Sequence, residues 1–352
     1  MERTEGNVSI RLKLKWALTI LIVAILAIIG YYSYSLYSFA NRIHTAPGES
    51  RLSPSNGGDN AQSDAYHPPK WEGKERVNIL LLGGDSRGLG KNEAPRADTL
   101  IVASIDPVTK EGALLSILRD TYVKIPGYGE ERINASLALG GPELAMKTVS
   151  ELLDLPIQYY IYTDFQGFIA LIDAIGGIDF YVEKDMKYSD SADGHQYDID
   201  LKEGMQRLDG SKALQYVRFR HDALSDYART ERQRNFLMAL AEKMQSSSSL
   251  IKLPRILSAV DPYIETNLTV TDMLKLGSLA FEAKTNTLQS IQIPPRELLQ
   301  EKTIRGASVI AVNSDKLHNY LKDKLEKSGE SESGTDLQDE QNGSHHVTAG
   351  NR

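Results

Sequence analysis

Residues Val77–Asp85, VNILLLGGD, decide the fold. The run is apolar almost without interruption to Leu82, and Gly83-Gly84-Asp85 then breaks it. A strand buried on both faces requires that pattern; a half-solvated strand would alternate. Two further runs follow, Thr99–Ile105 (TLIVASI) and Ala113–Leu118 (ALLSIL), and Asp106-Pro107 opens the short turn between them. The pair therefore reads as an antiparallel hairpin. If Val77–Leu82 lies antiparallel to Thr99–Ile105, the first strand ends at the edge where the second begins and where the third ends. Asp85, Asp98 and Arg119-Asp120 then meet at one rim. Two carboxylates there suit a hard cation such as Mg²⁺, which takes oxygen ligands and shares its shell with substrate phosphates.

Outward from this core the pattern is α/β. Pro142–Asp154 has a helical period, Ile157–Tyr162 reads as a strand, and Phe165–Ile175 as a helix stopped by Gly176-Gly177. Ile178–Val182 is a strand, Lys187–Asp200 an exposed loop, and Leu208–Tyr216 a short helix. Helical pieces continue to Ala283, and Leu288–Ile293 is the last strand. No repeat of 20–50 residues recurs.

The second informative stretch is residues 216–233, YVRFRHDALSDYARTERQ. Residues 226–244 read as one helix. At ~3.6 residues per turn, Asp226, Arg229, Thr230 and Gln233 lie on the same stripe as Leu237, Leu240 and Met244. Glu231, Asn235 and Glu242 lie opposite, with Arg234 on the flank. The core-facing stripe is thus polar in its first half. Inward charges without partners are rare, so these residues, entered through Arg218 and Arg220, describe a pocket for an anion and not a solvated face.

Residues 1–15 carry Arg3, Arg11, Lys13 and Lys15 against Glu2 and Glu5. No charge occurs from Trp16 to Asn41, and Tyr31, Tyr32, Tyr34 and Tyr37 form an aromatic belt. A helix over 16–39 spans roughly 36 Å, enough for a bilayer core of about 30 Å. The expected arrangement is a cytoplasmic segment 1–15, a single-pass signal anchor 16–39, a flexible Pro/Gly/Ser-rich stalk 40–74, an extracellular domain 75–326 and a disordered tail 327–352.

A net charge of −7 from 40 basic and 47 acidic residues argues against general nucleic-acid binding. The absence of cysteine excludes disulfides, thiolate metal sites and a cysteine nucleophile. Gly83–Lys91 is not a Walker A loop, because Asp85 and Asn92 occupy positions that motif gives to Gly and Ser/Thr. His221 is read as structural.

Leu82–Arg87 (LGGDSR), Arg96–Thr99 (RADT), Ser116–Asp120 (SILRD), Arg132–Asn134 (RIN), Leu208–Gly210 (LDG), Arg218–Arg220 (RFR) and the Asp226–Gln233 segment, in this order and spacing, resemble the LytR-CpsA-Psr family. The resemblance covers about residues 76–244, more weakly to 312. Leu118, Arg132 and Val217 stand where the family usually has Pro, Lys and Ala. The resemblance implies a central mixed β-sheet flanked by helices, with an apolar cavity for a polyprenyl chain. It implies a membrane-anchored phosphotransferase of mainly Gram-positive bacteria. Such an enzyme moves a teichoic-acid-like glycopolymer from a polyprenyl-pyrophosphate carrier to a peptidoglycan hydroxyl. By resemblance, Asp85 and Asp98 hold Mg²⁺ (or Mn²⁺), and Arg87, Arg119, Arg218, Arg220, Arg229 and Gln233 contact the pyrophosphate. Asp226 orients an arginine or serves as a base. The alternatives are a non-catalytic polyprenyl-phosphate-binding regulator and a plain pyrophosphatase.

Overall fold

The computed structural model describes residues 2–54, 66–85, 95–189, 195, 198–221, 225–283 and 288–326, with side chains from residue 13 onward. The chain begins with α1 (Glu2–Ile43), β1 (Val77–Gly84), β2 (Ala97–Ile105) and β3 (Gly112–Ile117). A hairpin, β4 (Tyr122–Ile125) and β5 (Gly129–Arg132), precedes α2 (Ala135–Leu153), β6 (Tyr159–Asp164) and α3 (Phe165–Ile175). Next come β7 (Ile178–Val182), β8 (Met186–Tyr188), β9 (Ile199–Leu201), β10 (Gly204–Leu208), α4 (Gly210–Arg218) and α5 (Ser225–Gln245). The last third holds α6 (Ser247–Ile251), α7 (Leu253–Val260), β11 (Ile264–Thr266), α8 (Val270–Glu282) and β12 (Gln289–Ile293). It closes with β13 (Gln300–Ile304), β14 (Ala307–Ala311) and α9 (Ser314–Glu326).

Six strands form one mixed sheet in the order β11-β6-β1-β2-β3-β12. β1 sits inside it, antiparallel to β2 and parallel to β6, and β2–β3 is the antiparallel hairpin that Asp106-Pro107 announces. The unbroken apolar run of β1 divides by parity, as a strand with two covered faces must. Leu80 and Leu82 pack in the cluster beneath α2 and α9. Ile79 and Leu81 face the opposite side, under α8 and the cavity described below. A second cluster joins α3, α4, α5 and α7 to β7, β9 and β10.

Local chemistry sets several boundaries. The Asp164 side chain caps α3 by accepting from the Gly167 amide, and Gly176 closes the helix in the left-handed region at φ 90°. Asp209 caps α4 in the same way. A Cβ on Gly210 would stand 2.4 Å from the Ile169 carbonyl oxygen, so only glycine lets α4 start against α3. α2 starts at Ala135, seven residues before the expected Pro142. Its first turn is joined to the rest through non-helical Gly140-Gly141, a break that hides the period.

Two expectations are corrected. Lys187–Asp200 is not simply an exposed loop: its ends belong to the paired strands β8 and β9, where Met186, Ile199 and Leu201 are buried. The segment expected as a free stalk is held to the domain at several points. Leu52 enters the main core, Trp71 the cluster under α8, and Ser50 bonds Glu265. The His44 ring bonds the Leu268 carbonyl at 3.0 Å. Single apolar anchors among Pro, Gly and Ser leave no period for a sequence reading to detect. The expected tail 327–352 lies outside the described residues.

In α1, residues 13–43 are long and apolar enough to cross a membrane, and the apolar stretch is not buried. Its final turns are different. Phe39, Ala40 and Ile43 are buried; Phe39 and Ile43 pack with Val260, and Arg42 pairs with Asp261 at 2.6 Å.

Candidate functional site

The register that pairs Ile101 with Ser116 brings Asp98 opposite Arg119 three residues further on, and these two side chains form an ion pair. β1 meets β2 with Gly84 against Ala97, so Asp85 leaves the sheet at the same edge. The rim expected from the three strands is thus assembled, and Asp85, Asp98 and Arg119 all line one cavity. The Arg132–Asn134 segment braces it. The Ala97 amide donates to the Asn134 carbonyl and the Asn134 amide to the Arg119 carbonyl, both at 3.2 Å. Arg132 pairs with Asp120 at 3.1 Å. The Leu118 amide donates to the Ile293 carbonyl at 2.8 Å, a bond the proline usual in the family cannot make.

The arginines reach this rim by a change of backbone. α4 ends at Arg218 and Phe219 is extended, so Arg218 and Arg220 alternate to one side while Phe219 is buried on the other. Phe219 is fixed there. Arg232 lies over its ring at 5.3 Å and donates to its carbonyl at 2.6 Å. Arg218 lies over Phe165 at 5.1 Å. From α5, Arg229 is 2 % exposed, pairs with Asp226 at 2.7 Å and donates to the Asp98 carbonyl at 3.3 Å. Gln233 donates to the Val217 carbonyl at 3.3 Å. Asp85, Asp98, Arg119, Arg218, Arg220, Arg229 and Gln233 all line the cavity, and Asp226 lies behind them, 4.0 Å from Arg119. Arg87 lies outside the described residues.

Electrostatics distinguishes these groups. Burial pulls the Arg119 guanidinium down, but Asp98, Asp226 and Asp120 outweigh it, and the net shift is upward. Arg220 is pulled down by burial and by the Arg119 charge, and it forms no ion pair among the described residues. Burial pushes the Asp226 carboxyl up, against the pull of Arg119 and Arg220. Nε of Arg119 and of Arg229, Oε1 of Gln233 and Oδ2 of Asp226 are buried without hydrogen-bond partners among the described residues. Such groups are costly unless a ligand completes them.

The cavity measures about 680 Å³. Beyond the arginines its walls become apolar, with Phe168 and Leu171 from α3, Phe236 and Leu240 from α5, then Val260 and Ile264. Of these, the sequence reading named only Leu240, as part of the core-facing stripe of the 226–244 helix. The available signal was α3 itself, whose Phe165, Phe168 and Leu171 recur at helical spacing; they pack against the core of α4 and α5 yet stay half-buried, because the cavity opens beside them. His221 stacks on Tyr188 at 4.3 Å, consistent with a structural role at the cavity wall.

Asp85 and Asp98 both line the cavity, and with Asp98 Oδ1 already engaged by Arg119 they could supply only part of a divalent cation's oxygen shell. Among the described residues no group of three or more His, Cys, Asp or Glu forms. Further oxygen ligands would therefore have to come from a bound phosphate and water.

Arg234 requires a correction. It is not on a solvated flank but 4 % exposed, donating from Nε to Ser290 Oγ at 2.6 Å and from Nη1 to Gln292 Oε1 at 2.8 Å. Helix α5 buries a second face, toward β12, which a single-stripe reading of the wheel misses.

The chain is 33 % identical over 264 residues to the regulatory protein MsrR of Staphylococcus aureus, covering 74 % of this chain and 77 % of that one. It is 34 % identical over 271 residues to the polyisoprenyl-teichoic acid–peptidoglycan teichoic acid transferase TagU of Bacillus mycoides, covering 75 % and 82 %. The solved structure of the Bacillus subtilis protein YwtF (TagT) with bound octaprenyl pyrophosphate superposes with a TM-score of 0.56 at 25 % identity, covering 81 % and 98 %. The LytR_cpsA_psr family profile matches residues 31–326, and with that span, these motifs and this mixed sheet the chain belongs to the LytR-CpsA-Psr family.

Proposed function

We propose that this protein is a membrane-anchored phosphotransferase that moves an anionic cell-wall glycopolymer from a polyprenyl-pyrophosphate carrier to a peptidoglycan sugar hydroxyl. The observation that supports it most is the two-ended cavity, with an arginine cluster holding unpartnered buried polar atoms at one end and an apolar channel at the other. A polyprenyl pyrophosphate has both of these chemistries in one molecule. Planar guanidinium groups bind phosphate oxygens bidentately, and Arg218, Arg220 and Arg229 would hold the two phosphates with Gln233. Transfer of this kind is mostly positioning and charge neutralisation.

The acceptor hydroxyl attacks the sugar-proximal phosphorus. A new P–O bond forms, the pyrophosphate bridge breaks, and polyprenyl phosphate leaves with the bridging oxygen and its electron pair. Asp226, held above the usual carboxylate range by burial and lying behind the cavity wall, would orient Arg119 and Arg229. Asp85 and Asp98 would hold Mg²⁺ or Mn²⁺, which neutralises phosphate charge when bound. The basic N-terminal flank supports a cytoplasmic N-terminus and an extracellular domain.

The test is turnover by the full chain in nanodiscs, with Mg²⁺, a polyprenyl-pyrophosphoryl glycan and peptidoglycan. A glycan–phosphodiester–peptidoglycan product is expected, with one polyprenyl phosphate released per transfer. Glycan phosphate released to water despite excess acceptor identifies a pyrophosphatase. Tight binding with the donor intact identifies a regulator, the reading that the name of the Staphylococcus relative favours.

A further inference from the structure

We infer that α6 is a membrane-docking element that dips into the headgroup–acyl boundary of the leaflet from which α1 emerges. The inference rests on α1 spanning the bilayer. α6 exposes two apolar side chains, Leu250 at 40 % and Ile251 at 73 %. Taken alone they would be unremarkable surface residues. Their height along α1 makes them otherwise.

The Tyr32 hydroxyl donates to the Ile251 carbonyl at 2.6 Å, which fixes α6 beside that turn of the helix. Lys15 is the last charge before the apolar span. At ~1.5 Å per residue, a core of about 30 Å is crossed in roughly 20 residues, from Trp16 to about Ser35. Tyr32 falls inside that length, about 5 Å short of its end, and the Ile251 carbonyl lies at the same depth. Water is therefore the wrong neighbour for α6. The orientation is also held from the far side of this contact, where Phe39 and Ile43 pack against Val260 and Arg42 pairs with Asp261.

Charge points to the same occupant. In a chain of net charge −7, residues 243–260 carry Lys243, Lys252 and Arg255 and no acidic residue. Exposed Lys252 and Arg255 follow the apolar pair, the composition expected of a segment lying in an anionic lipid interface. The docking also brings the apolar end of the cavity, at Val260 and Ile264, close to the lipid beside α1.

The chain contains no cysteine, so single cysteines report cleanly. In the full chain reconstituted into phosphatidylglycerol/phosphatidylcholine vesicles, Ile22→Cys, Tyr34→Cys, Ile251→Cys and Tyr128→Cys are each labelled with an environment-sensitive dye and quenched by spin-labelled lipids. The label at 251 is expected to be quenched by shallow spin labels about as strongly as that at 34, the label at 22 by deep ones, and the label at 128 by neither. Adding Leu250→Asp should reduce quenching at 251 and leave it intact at 22. If 251 behaves like 128 while 22 is quenched, the docking is wrong and the anchor stands. If 251 is shifted to an apolar spectrum but not quenched, protein and not lipid covers it, which also overturns the inference. If 22 is unquenched, the anchor reading itself fails, and the docking with it.

Discussion

Helix α5 carries buried polar side chains toward two neighbours, and the two sets differ in one respect. Toward β12, Thr230 and Arg234 find their partners within the protein: Thr230 donates to Gln292 Oε1 at 2.5 Å, Arg234 to Ser290 and Gln292, and Gln292 in turn to the Ser116 carbonyl at 3.0 Å. Toward the cavity, Asp226, Arg229 and Gln233 are paired only in part and leave buried atoms unsatisfied. Both sets are desolvated, so burial alone does not separate structure from function. Completeness of partners does. A closed network holds the helix on the sheet, whereas an open one retains binding capacity for a ligand.

The most severe test of this comparison is Arg220→Ala. Arg220 lines the cavity without an ion pair among the described residues, so turnover should fall by about 10²–10³-fold, the cost of removing one charge-stabilising donor, with the melting temperature nearly unchanged. A melting point lowered as much as in the next variant would erase the distinction. Arg234→Ala should do the reverse. Losing two hydrogen bonds from a buried charged donor costs roughly 3 kcal/mol, or about 6–12 °C for a domain of this size, while turnover at low temperature largely survives. Thermal melts beside initial rates at 10 °C separate the two.

A smaller effect concerns the rim. Mg²⁺ should raise the melting temperature, more so with a pyrophosphate ligand present, and Asp85→Asn or Asp98→Asn should weaken that rise. Mg²⁺ dependence of turnover unchanged in both variants would remove these residues from metal binding. The smallest effect is the pH dependence of Asp226. Its folded carboxyl lies above the usual range, so the folded state holds the proton more tightly than the unfolded state. The stability this confers is present in full below the unfolded pKa and is lost as pH rises through the folded one. Relative to Asp226→Asn, wild type should therefore lose stability as pH rises through that window, as paired melts across an acid pH series would read. Wild type gaining stability relative to Asp226→Asn as pH rises would reverse the sign and put the arginines in control of this carboxylate.

Much of the sheet was legible because its inner strands β1, β2 and β3 are mostly apolar; they and the alternating edge strand β12 lie within a residue or two of their expected places. The rim followed from their directions. The short strands were not legible. β5 (GEER) and β13 (QEKTI) are polar and largely exposed, and they exist because partners reached through turns align them. β11 was hidden differently, as three residues paired to β6 across about a hundred positions. In the site, the arginines were legible as an inward charge run, but Arg234 was misplaced because one wheel stripe cannot represent a helix wedged between a sheet edge and a cavity.

The last turns of α1 have a consequence for where the enzyme can work. A free chain the length of residues 44–74 would sweep roughly 30 Å, letting a tethered domain forage above its anchor. Here Phe39, Ala40 and Ile43 are already inside the domain's own packing, so on the proposed anchoring no swivel would separate the bilayer from the fold. The arginine rim then works at a constant altitude. On the proposed function and topology an acceptor glycan would have to come down to it, and the polymer would be attached only to the wall layer nearest the membrane.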